Sequence, residues 1–415
     1  MSATRLLRIT PMTAILAFSL AIRLWRLNLP AGYIFDEVYY AKNANSLLTS
    51  AVELNGQGQA EFVVHPPLGK WLIAIGIKIF GNNEFGWRFV AAIFGTLSIL
   101  LLYLIVKKLF NSEFLSVTAA LLMSLDGLNL VMSRVALLDI FLMVFILVTF
   151  YFLLINNLWM SGFALGLALA TKWSAAFLIP FIFLFLAIYN KVNFKAILKL
   201  ISQFVVLPIL VYIISWSGWI FSVKGWARES GSNIFASFWN YHIQILDFHR
   251  GLTEKHSYQA NPWSWLVLGR PTSFFYDSSG NCGNEKCAQE ILAMGTPILW
   301  WSSIFAVAIT FGFFIRNLER SAAIILFGFA GTYLPWFFIQ DRTTFYFYAV
   351  STLPFLILSL IYSFDKLIKF RNINKFIVIF IILVAVNFIY FLPIYLGITI
   401  PYSHWLSRMW LPSWI

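Results

Sequence analysis

The chain has 415 residues, of which 60% are hydrophobic and only 11% are charged. Average soluble domains carry about 25% charged residues, so a soluble fold of this length could not cover its surface with so few charges. The mean hydropathy of +0.80 agrees with this conclusion. These values exclude a soluble enzyme, a disordered chain and a fibrous repeat, and they predict an all-α polytopic membrane protein.

The net charge of +12 comes from 29 Lys and Arg against 17 Asp and Glu. Nucleic-acid binding would need a basic cluster on a polar face, and the sequence contains no such run. In a membrane protein, Lys and Arg are instead enriched in cytoplasmic loops. The charge therefore predicts a topology, and we expect no nucleic-acid partner.

Eleven apolar segments are candidates to cross the bilayer, which takes about 20 residues of helix. They cover 10–29, 86–106, 114–131, 139–156, 158–171, 173–189, 200–221, 297–315, 321–339, 344–363 and 376–396. Arg5 and Arg8 precede an apolar stretch, as in a signal peptide, but that stretch runs into Ile22-Arg23-Leu24-Trp25-Arg26 and not into the small residues of a cleavage site. We therefore interpret the first segment as a retained helix.

The distribution of basic residues orients these spans. With the N-terminus in the cytoplasm, the inside loops hold thirteen Lys and Arg against three acidic residues, which accounts for +10 of the net charge. Segments 30–85, 222–296 and the 397–415 tail then lie outside. Long loops often carry function. We expect the chemistry at the external face of one membrane domain, 1–415, in the plasma membrane, with the C-terminus external.

The two cysteines of the chain, Cys282 and Cys287, both lie in the second long external loop. An oxidising compartment would allow a disulfide between them. Two free thiols or a metal-binding pair are the alternatives, because sequence spacing does not reveal whether the bridge geometry can be reached.

An acidic pair, Asp36 and Glu37, follows the first span and is flanked by aromatic residues. Successive side chains point in different directions, so each acid can have its own task. A carboxylate in an apolar setting at the membrane edge tends to have a raised pKa, which suits a general base for a hydroxyl group. The alternative is an interfacial acidic pair that caps a helix N-terminus.

Further along the same loop, His65 precedes two prolines that forbid helix before them. The sequence predicts an amphipathic helix from Leu68 to Phe80 along the membrane surface. His65 is thus held at a rigid corner near the external face. It is a candidate acceptor-binding residue, and a purely structural role is the alternative.

The stretch from Leu125 to Asp139 carries two acids, Asp126 and Asp139, and one cation, Arg134, within an otherwise apolar run. Each charge at the bilayer centre costs about 2.5–3.5 kcal/mol on insertion scales, so such charges usually line a cavity or pair with one another. A catalytic role and a buried Arg134–Asp139 pair that only fixes two helices are both open.

Three further cations are predicted at the outer ends of helices, namely Arg88, Lys172 and Arg342. A lipid phosphate in the outer leaflet would need such partners, and Arg can bind it with two parallel hydrogen bonds. Side chains that merely extend toward the interface as membrane anchors are the alternative.

Taken together, these motifs resemble a known family. In order, they are the Asp-Glu pair, HPPLGKW, DGLNLVMSRVALLD, TKW, the NPWSWLVLGRP stretch of the second loop, and Arg342 followed by TTFYFY. The chain resembles the bacterial, actinobacterial-type protein O-mannosyltransferases that use a polyprenyl-phosphate mannose donor. The resemblance covers essentially the whole chain. Eukaryotic members insert a β-trefoil in the second long loop, and here 222–296 is too short to contain one.

The resemblance implies a C-type glycosyltransferase fold with eleven helices, and transfer of mannose to Ser or Thr hydroxyls of exported proteins, with inversion at the sugar. The implied roles are general base for Asp36, acceptor binding for Glu37, and a further essential acid at Asp139 or, as second choice, Asp126. We expect Arg134, Lys172, Arg342 and Arg88 to bind the donor phosphate. The secretion translocon is a candidate neighbour.

This scheme requires no cofactor, although Asp36, Glu37 and His65 could together form a divalent metal site. Two other functions fit the composition. One is a C-type glycosyltransferase that moves another sugar from a lipid phosphate to a glycan or lipid. The other is a transporter or flippase, against which we note the lack of an internal repeat and of polar residues in mid-span.

Overall fold

The computed structural model describes residues 10–190, 193–371 and 373–415. In the first half of the chain it contains twelve helices: α1 (Pro11–Leu24), α2 (Glu37–Ser50), α3 (Leu68–Phe80), α4 (Glu84–Phe110), α5 (Glu113–Ser124), α6 (Gly127–Met132), α7 (Asp139–Leu154), α8 (Leu158–Leu169), α9 (Leu178–Tyr189), α10 (Phe194–Ile201), α11 (Leu207–Ser215) and α12 (Ser217–Phe221). A 3₁₀ segment, Trp173–Phe177, precedes α9, and a π-helical turn, Ser202–Val206, joins α10 to α11.

The second half of the chain combines helices with a small sheet. Its elements are α13 (Ile234–Gly251), α14 (Pro262–Trp265), β1 (Thr272–Asp277), β2 (Asn281–Cys282), β3 (Glu285–Ala293), α15 (Pro297–Asn317), α16 (Arg320–Tyr333), α17 (Leu353–Phe370), α18 (Asn374–Leu396), β4 (Ile400–Pro401) and α19 (Tyr402–Leu406). Shorter 3₁₀ segments cover Leu334–Phe338, Tyr346–Ser351 and Pro412–Trp414.

Each of the eleven predicted spans overlaps at least one helix. In the part of the chain that the structure describes, five helical stretches are long and apolar enough to cross a membrane: Glu84–Phe110, Phe194–Ser215, Pro297–Asn317, Arg320–Phe338 and Asn374–Leu396. Shorter apolar helices cover the first, third, fourth, fifth and sixth predicted spans. The tenth begins as the 3₁₀ segment Tyr346–Ser351 and continues as α17. Three of the basic residues counted above, Arg5, Arg8 and Lys191, lie outside the described residues.

The third predicted span, 114–131, is not one continuous helix. α5 ends at Ser124, and Asp126 then caps α6 by accepting a hydrogen bond from the backbone N–H of Asn129 at 2.8 Å. Asp followed by Gly favours such a break, because the Asp side chain satisfies a helix N-terminus and Gly tolerates the turn. The segment after the break, as far as Asp139, is almost completely buried.

The prediction of an all-α chain missed the sheet in the second long loop. β1 and β2 both pair antiparallel with β3, and β4 adds a short pairing to β3. Cys282 and Cys287 form a disulfide within the β2–β3 hairpin. The aromatic run in β1 is typical of strands, but it is too short to stand out in a sequence rich in aromatic residues.

The predicted helix Leu68–Phe80 is confirmed as α3. It packs between α2 and α4. Its contact with α4 depends on two glycines, because a Cβ at Gly76 would lie 2.2 Å from the Gly86 carbonyl oxygen and one at Gly86 would meet the Gly81 carbonyl at 2.1 Å. This close approach holds the end of α3 against the start of α4.

Candidate active site

Asp36 is presented by a backbone turn directly before α2. The preceding residue, Phe35, has a φ of 47°, in the left-handed region that bulky residues rarely adopt. The Phe35 ring stacks on Phe274 of β1 with ring centroids 4.6 Å apart, and it contacts Phe347 edge-on at 5.5 Å. These contacts hold the strained turn, so the sheet contributes to the orientation of Asp36.

A buried ion pair lies beside Asp36. Lys172 Nζ donates hydrogen bonds to both carboxylate oxygens of Asp139, at 2.8 and 2.9 Å. Burial raises the pKa of Asp36 to about 6, with Lys172 lowering it and Asp139 raising it. Asp36 makes no capping hydrogen bond to α2. It is therefore ionised at pH 7 and more basic than an ordinary aspartate, as a general base requires.

A cavity of about 910 Å³ opens next to Lys172, and its wall combines polar and apolar side chains. The polar wall includes His65, Lys172, His249, Arg342 and Tyr348. The apolar lining includes side chains of α11, α13 and the neighbouring 3₁₀ segment, namely Ile209, Ile213, Phe238, Trp239, Trp336 and Phe338. Asp36 is not among the lining residues, but its carboxylate is influenced by Lys172 of the polar wall. The volume and polarity fit a charged headgroup attached to an apolar chain.

Two predicted phosphate ligands, Lys172 and Arg342, are in the cavity wall. The ammonium group of Lys172 lies 4.5 Å from the centroid of the Tyr348 ring, a cation–π contact that fixes its position. Arg342 Nε is buried and has no hydrogen-bond partner among the described residues. Arg342 is thus a cation whose hydrogen-bonding capacity is not used up by the protein.

His65, the predicted acceptor-side histidine, is also part of the polar wall. Its ring centroid is 6.0 Å from that of Tyr40, one turn after Asp36, and 5.5 Å from that of His249. Burial, together with the positive charge of Lys172, holds the pKa of His65 well below 6.5. The ring is therefore neutral at pH 7 and can donate or accept a hydrogen bond without adding charge.

Glu37 and Arg88 form an ion pair with each other, which differs from the predicted roles of acceptor binding for Glu37 and phosphate binding for Arg88. Both side chains are completely buried. Arg88 donates two hydrogen bonds of 2.8 Å to the Glu37 carboxylate and three of 3.1 Å to the carbonyls of Leu27, Pro30 and Gly32. Glu37 also accepts from the N–H groups of Ile34 and Ala136 at 3.0 and 2.9 Å. Arg88 has no donor left for a phosphate, and Glu37 has no free oxygen for an acceptor.

Asp126 and Arg134 likewise lie away from the cavity wall. Asp126 is fully buried and, besides capping α6, accepts from Trp300 Nε1 at 2.8 Å and from the N–H of Thr296 at 3.2 Å. Arg134 Nη1 donates to the carbonyls of Ile22, Arg23 and Trp25 at the end of α1. The alternative of a buried Arg134–Asp139 pair is wrong, because Asp139 pairs with Lys172. Of the two candidates for the second acid, only Asp139 adjoins Asp36.

Sequence reasoning missed three residues of the site, namely Tyr40, His249 and Tyr348. The signal for His249 was present in the sequence of α13, where His242 and His249 are seven residues apart and therefore share one helical face. Both line the cavity. Tyr348 is the last residue of the TTFYFY stretch after Arg342, but nothing in an aromatic-rich sequence distinguished it from a core residue.

The described residues do not form the divalent metal site predicted from the sequence. Asp36, Glu37 and His65 do not converge, because Glu37 is turned into its contacts with Arg88. Among residues 10–190, 193–371 and 373–415, no group of three or more His, Cys, Asp or Glu side chains could hold a metal ion. The positive charge next to Asp36 is supplied by Lys172.

Comparison with known proteins identifies the chain. Residues 13–84 and 64–219 match two family models described as dolichyl-phosphate-mannose-protein mannosyltransferase, and residues 234–414 match the C-terminal four-helix region of protein O-mannosyltransferases. A polyprenol-phosphate-mannose–protein mannosyltransferase of Corynebacterium glutamicum is 30% identical over 92% of this chain and 88% of the relative. The chain belongs to the protein mannosyltransferase family.

Other matches agree with this membership. The corresponding protein of Mycobacterium tuberculosis is 30% identical over 92% of this chain and 86% of its own length. A solved S. cerevisiae protein O-mannosyltransferase complex bound to the sugar donor aligns over 100% of this mannosyltransferase and 93% of the matched chain, with a TM-score of 0.80 at 16% identity. ArnT of Cupriavidus metallidurans bound to undecaprenyl phosphate aligns over 97% of this chain and 72% of its own, with a TM-score of 0.61 at 15% identity. The predicted C-type glycosyltransferase fold is confirmed.

Proposed function

We propose that this mannosyltransferase transfers mannose from a polyprenyl-phosphate mannose lipid to Ser or Thr hydroxyls of exported proteins, with inversion at the sugar. The observation that carries the proposal is the position of Asp36, whose pKa burial raises to about 6, beside the Lys172–Asp139 pair and a cavity lined by both polar and apolar side chains. The donor activity named for the C. glutamicum relative supports the choice of lipid and sugar.

In the proposed reaction, Asp36 accepts the proton of the acceptor hydroxyl as its oxygen attacks the anomeric carbon. The new carbon–oxygen bond forms on the face opposite the phosphate, and the bond from the sugar to the phosphate oxygen breaks. The electron pair leaves with the polyprenyl phosphate, which gains a negative charge and needs no proton. One such displacement inverts the configuration, and its transition state has oxocarbenium-like character.

The charge that develops on the leaving phosphate must be stabilised by cations that are already in position. Arg342 can supply N–H donors from the cavity wall, and Lys172 has a third N–H besides the two directed at Asp139. Asp139 holds Lys172 in place and contributes to the raised pKa of Asp36. Because Lys172 and Arg342 supply this charge, we propose that transfer requires no divalent metal, and we expect activity to persist in excess chelator.

The distribution of Lys and Arg along the chain supports a location for this reaction on one side of the membrane. We propose that the N-terminus is cytoplasmic, the C-terminus external, and the cavity at the outer face of the plasma membrane, since most of the excess positive charge then lies inside. Acceptor segments would meet the site as they leave the secretion translocon, before they fold.

The test uses membranes that contain the protein, polyprenyl-phosphate mannose with a labelled sugar, and a peptide with Ser and Thr. Asp36→Asn should lower the transfer rate about 10²- to 10⁴-fold, the usual effect of removing a general base. Asp277→Asn is the matched control, because Asp277 is an exposed carboxylate of β1 outside the site. We expect it to transfer mannose at the wild-type rate.

Two results would contradict the proposal. Wild-type activity in Asp36→Asn would remove Asp36 as the base. Label found on a lipid or glycan and never on the peptide would favour the other type of glycosyltransferase considered above, and movement of intact donor across the bilayer without transfer would indicate a flippase.

A further inference from the structure

A chain of hydrogen bonds joins the segment directly after Lys172 to α11 and α13. Trp173 Nε1 donates a hydrogen bond of 3.0 Å to the hydroxyl of Tyr212 on α11, and that hydroxyl lies 2.7 Å from His242 Nε2 on α13. His242 Nδ1 lies 2.7 Å from the carbonyl oxygen of Phe238, one turn earlier in the same helix. These contacts hold the 3₁₀ segment that begins with Trp173 against two helices from later parts of the chain.

The direction of each hydrogen bond follows from the carbonyl at the end of this chain. A carbonyl can only accept, so His242 Nδ1 carries a proton. Burial lowers the pKa of His242 below its ordinary value of 6.5, so the ring is neutral at pH 7 and Nε2 presents a lone pair. The Tyr212 hydroxyl therefore donates to His242 and accepts from Trp173. Every side-chain N–H and O–H group of the three residues is used, and none is left to bind a phosphate.

The residue before Trp173 is the cation of the candidate site. Lys172 has extended backbone angles, with a φ of −152° and a ψ of 138°, so the two adjacent side chains point to different sides of the chain. The Trp173 indole is directed at Tyr212. The Lys172 ammonium group is directed at Asp139 and lies 4.5 Å from the centroid of the Tyr348 ring. A rotation of this short segment that moves the indole therefore also moves the ammonium group.

We propose that His242 is a positioning residue, which acts through Tyr212 and Trp173. Together these side chains fix the Lys172 ammonium group next to the phosphate as it leaves. The inference rests on the proposed function, in which Lys172 stabilises the charge that develops on that phosphate. A cation that is already in position needs no reorganisation during the reaction, and a displacement of about 1 Å can cost a factor of about 10² in rate. Because Lys172 acts on the transition state, its displacement should lower kcat more than it raises KM.

A neighbouring residue of α13 provides a comparison. The Tyr241 hydroxyl donates to the carbonyl of Val63 and accepts from the N–H of the same residue, each at 3.2 Å. Tyr241 therefore holds the first long loop, and its hydrogen bonds among the described residues do not lead to Trp173. A defect that only loosens α13 should appear in variants of both Tyr241 and His242, whereas displacement of Lys172 should appear in variants of His242.

Two substitutions at His242 separate positioning from structure. Gln can place an acceptor near the Nε2 position, toward Tyr212. Asn can place an N–H donor near the Nδ1 position, toward Phe238, but lacks the acceptor toward Tyr212. We expect His242→Asn to lower kcat about tenfold, the effect of one hydrogen bond, with the KM for the peptide within about twofold of the wild type. His242→Gln should keep kcat within about threefold of the wild type.

A second measurement tests whether the effect depends on Lys172. In a Lys172→Gln background, His242→Asn should lower kcat by less than about a further twofold, because the ammonium group that it positions is already absent. Tyr241→Phe is the matched control, and its effect should be equal in the wild-type and Lys172→Gln backgrounds. Gel filtration in detergent establishes that each variant is folded. Tyr212→Phe replaces His242→Asn if the latter does not fold, and Lys172→Gln with Asp139→Asn replaces the single-variant background for the same reason.

The outcomes separate this inference from the proposed function. Wild-type kcat in His242→Asn, equal losses in His242→Asn and His242→Gln, or a full tenfold loss from His242→Asn in the Lys172→Gln background would each overturn the positioning role. The proposed function would then still be supported by loss of transfer in Asp36→Asn. Wild-type kcat and KM in Lys172→Gln would instead remove Lys172 from the phosphate site, and the inference with it.

Discussion

The two buried ion pairs near Asp36 differ in what they leave free. In the Glu37–Arg88 pair, both side chains are completely buried, and all five N–H groups of Arg88 are used within the protein. In the Lys172–Asp139 pair, the side chains retain 10% and 4% exposure, and Lys172 lines the cavity. A saturated pair can only hold its surroundings together, whereas an unsaturated pair can also act on a ligand.

The comparison assigns different tasks to two adjacent acids. Glu37 ties the start of α2 to α4 and to the buried segment before α7. Asp36 lies beside the unsaturated Lys172–Asp139 pair. Burial raises the pKa of Asp36, Lys172 lowers it and Asp139 raises it. The Glu37–Arg88 pair therefore holds the backbone next to Asp36 in place. The Lys172–Asp139 pair supplies the charges next to the carboxylate of Asp36, the proposed base.

The largest effect is expected from breaking the saturated pair. Glu37→Gln leaves the Arg88 charge buried without its partner, which should lower the free energy of unfolding by about 3–5 kcal/mol. Glu113→Gln is the control, because the Glu113–Lys107 pair is 57% and 39% exposed and should contribute at most about 1 kcal/mol. Unfolding by SDS titration in mixed micelles measures both. Equal, small losses in the two variants would show that the Glu37–Arg88 pair does not hold the fold.

Variants of the Lys172–Asp139 pair should separate its contribution to stability from its contribution to activity. Lys172→Gln removes the cation beside the leaving phosphate, and we expect kcat/KM for the donor to fall about 10²-fold. It also leaves Asp139 buried without a partner, so Lys172→Gln combined with Asp139→Asn should recover stability. The double variant should not recover activity. Recovery of both together would mean that Lys172 has only a structural role.

Hydropathy was sufficient to predict helical structure in each of the eleven apolar segments, five of which coincide with described helices long and apolar enough to cross a membrane. It could not predict the break at Asp126, where a buried cap replaces a turn of helix, or the sheet, whose strands are short. The partners of the charged side chains were predicted less well. Arg88 and Lys172 look alike in sequence, and only the partner 51 residues away shows that Arg88 is saturated.

Within the site, the predicted residues that the structure brings together are those whose motif lies in one stretch. Asp36 follows directly from its place after the first span, and Lys172 and Arg342 from theirs at helix ends. The place of His249 in the site depends on a contact between the chain that leaves α13 and the chain after Arg342. His249 and Arg342 are 93 positions apart in the sequence. No local pattern encodes such a contact.

The most direct test of the account is the pH dependence of kcat/KM for the wild type and for Asp139→Asn. Asp36 accepts a proton only when ionised, so activity should fall about tenfold per pH unit below an apparent pKa of about 6. Asp139 raises the pKa of Asp36, so Asp139→Asn should move this acid limb to lower pH. A flat profile between about pH 5 and 8 in the wild type, or a limb that stays in place in Asp139→Asn, would contradict the account.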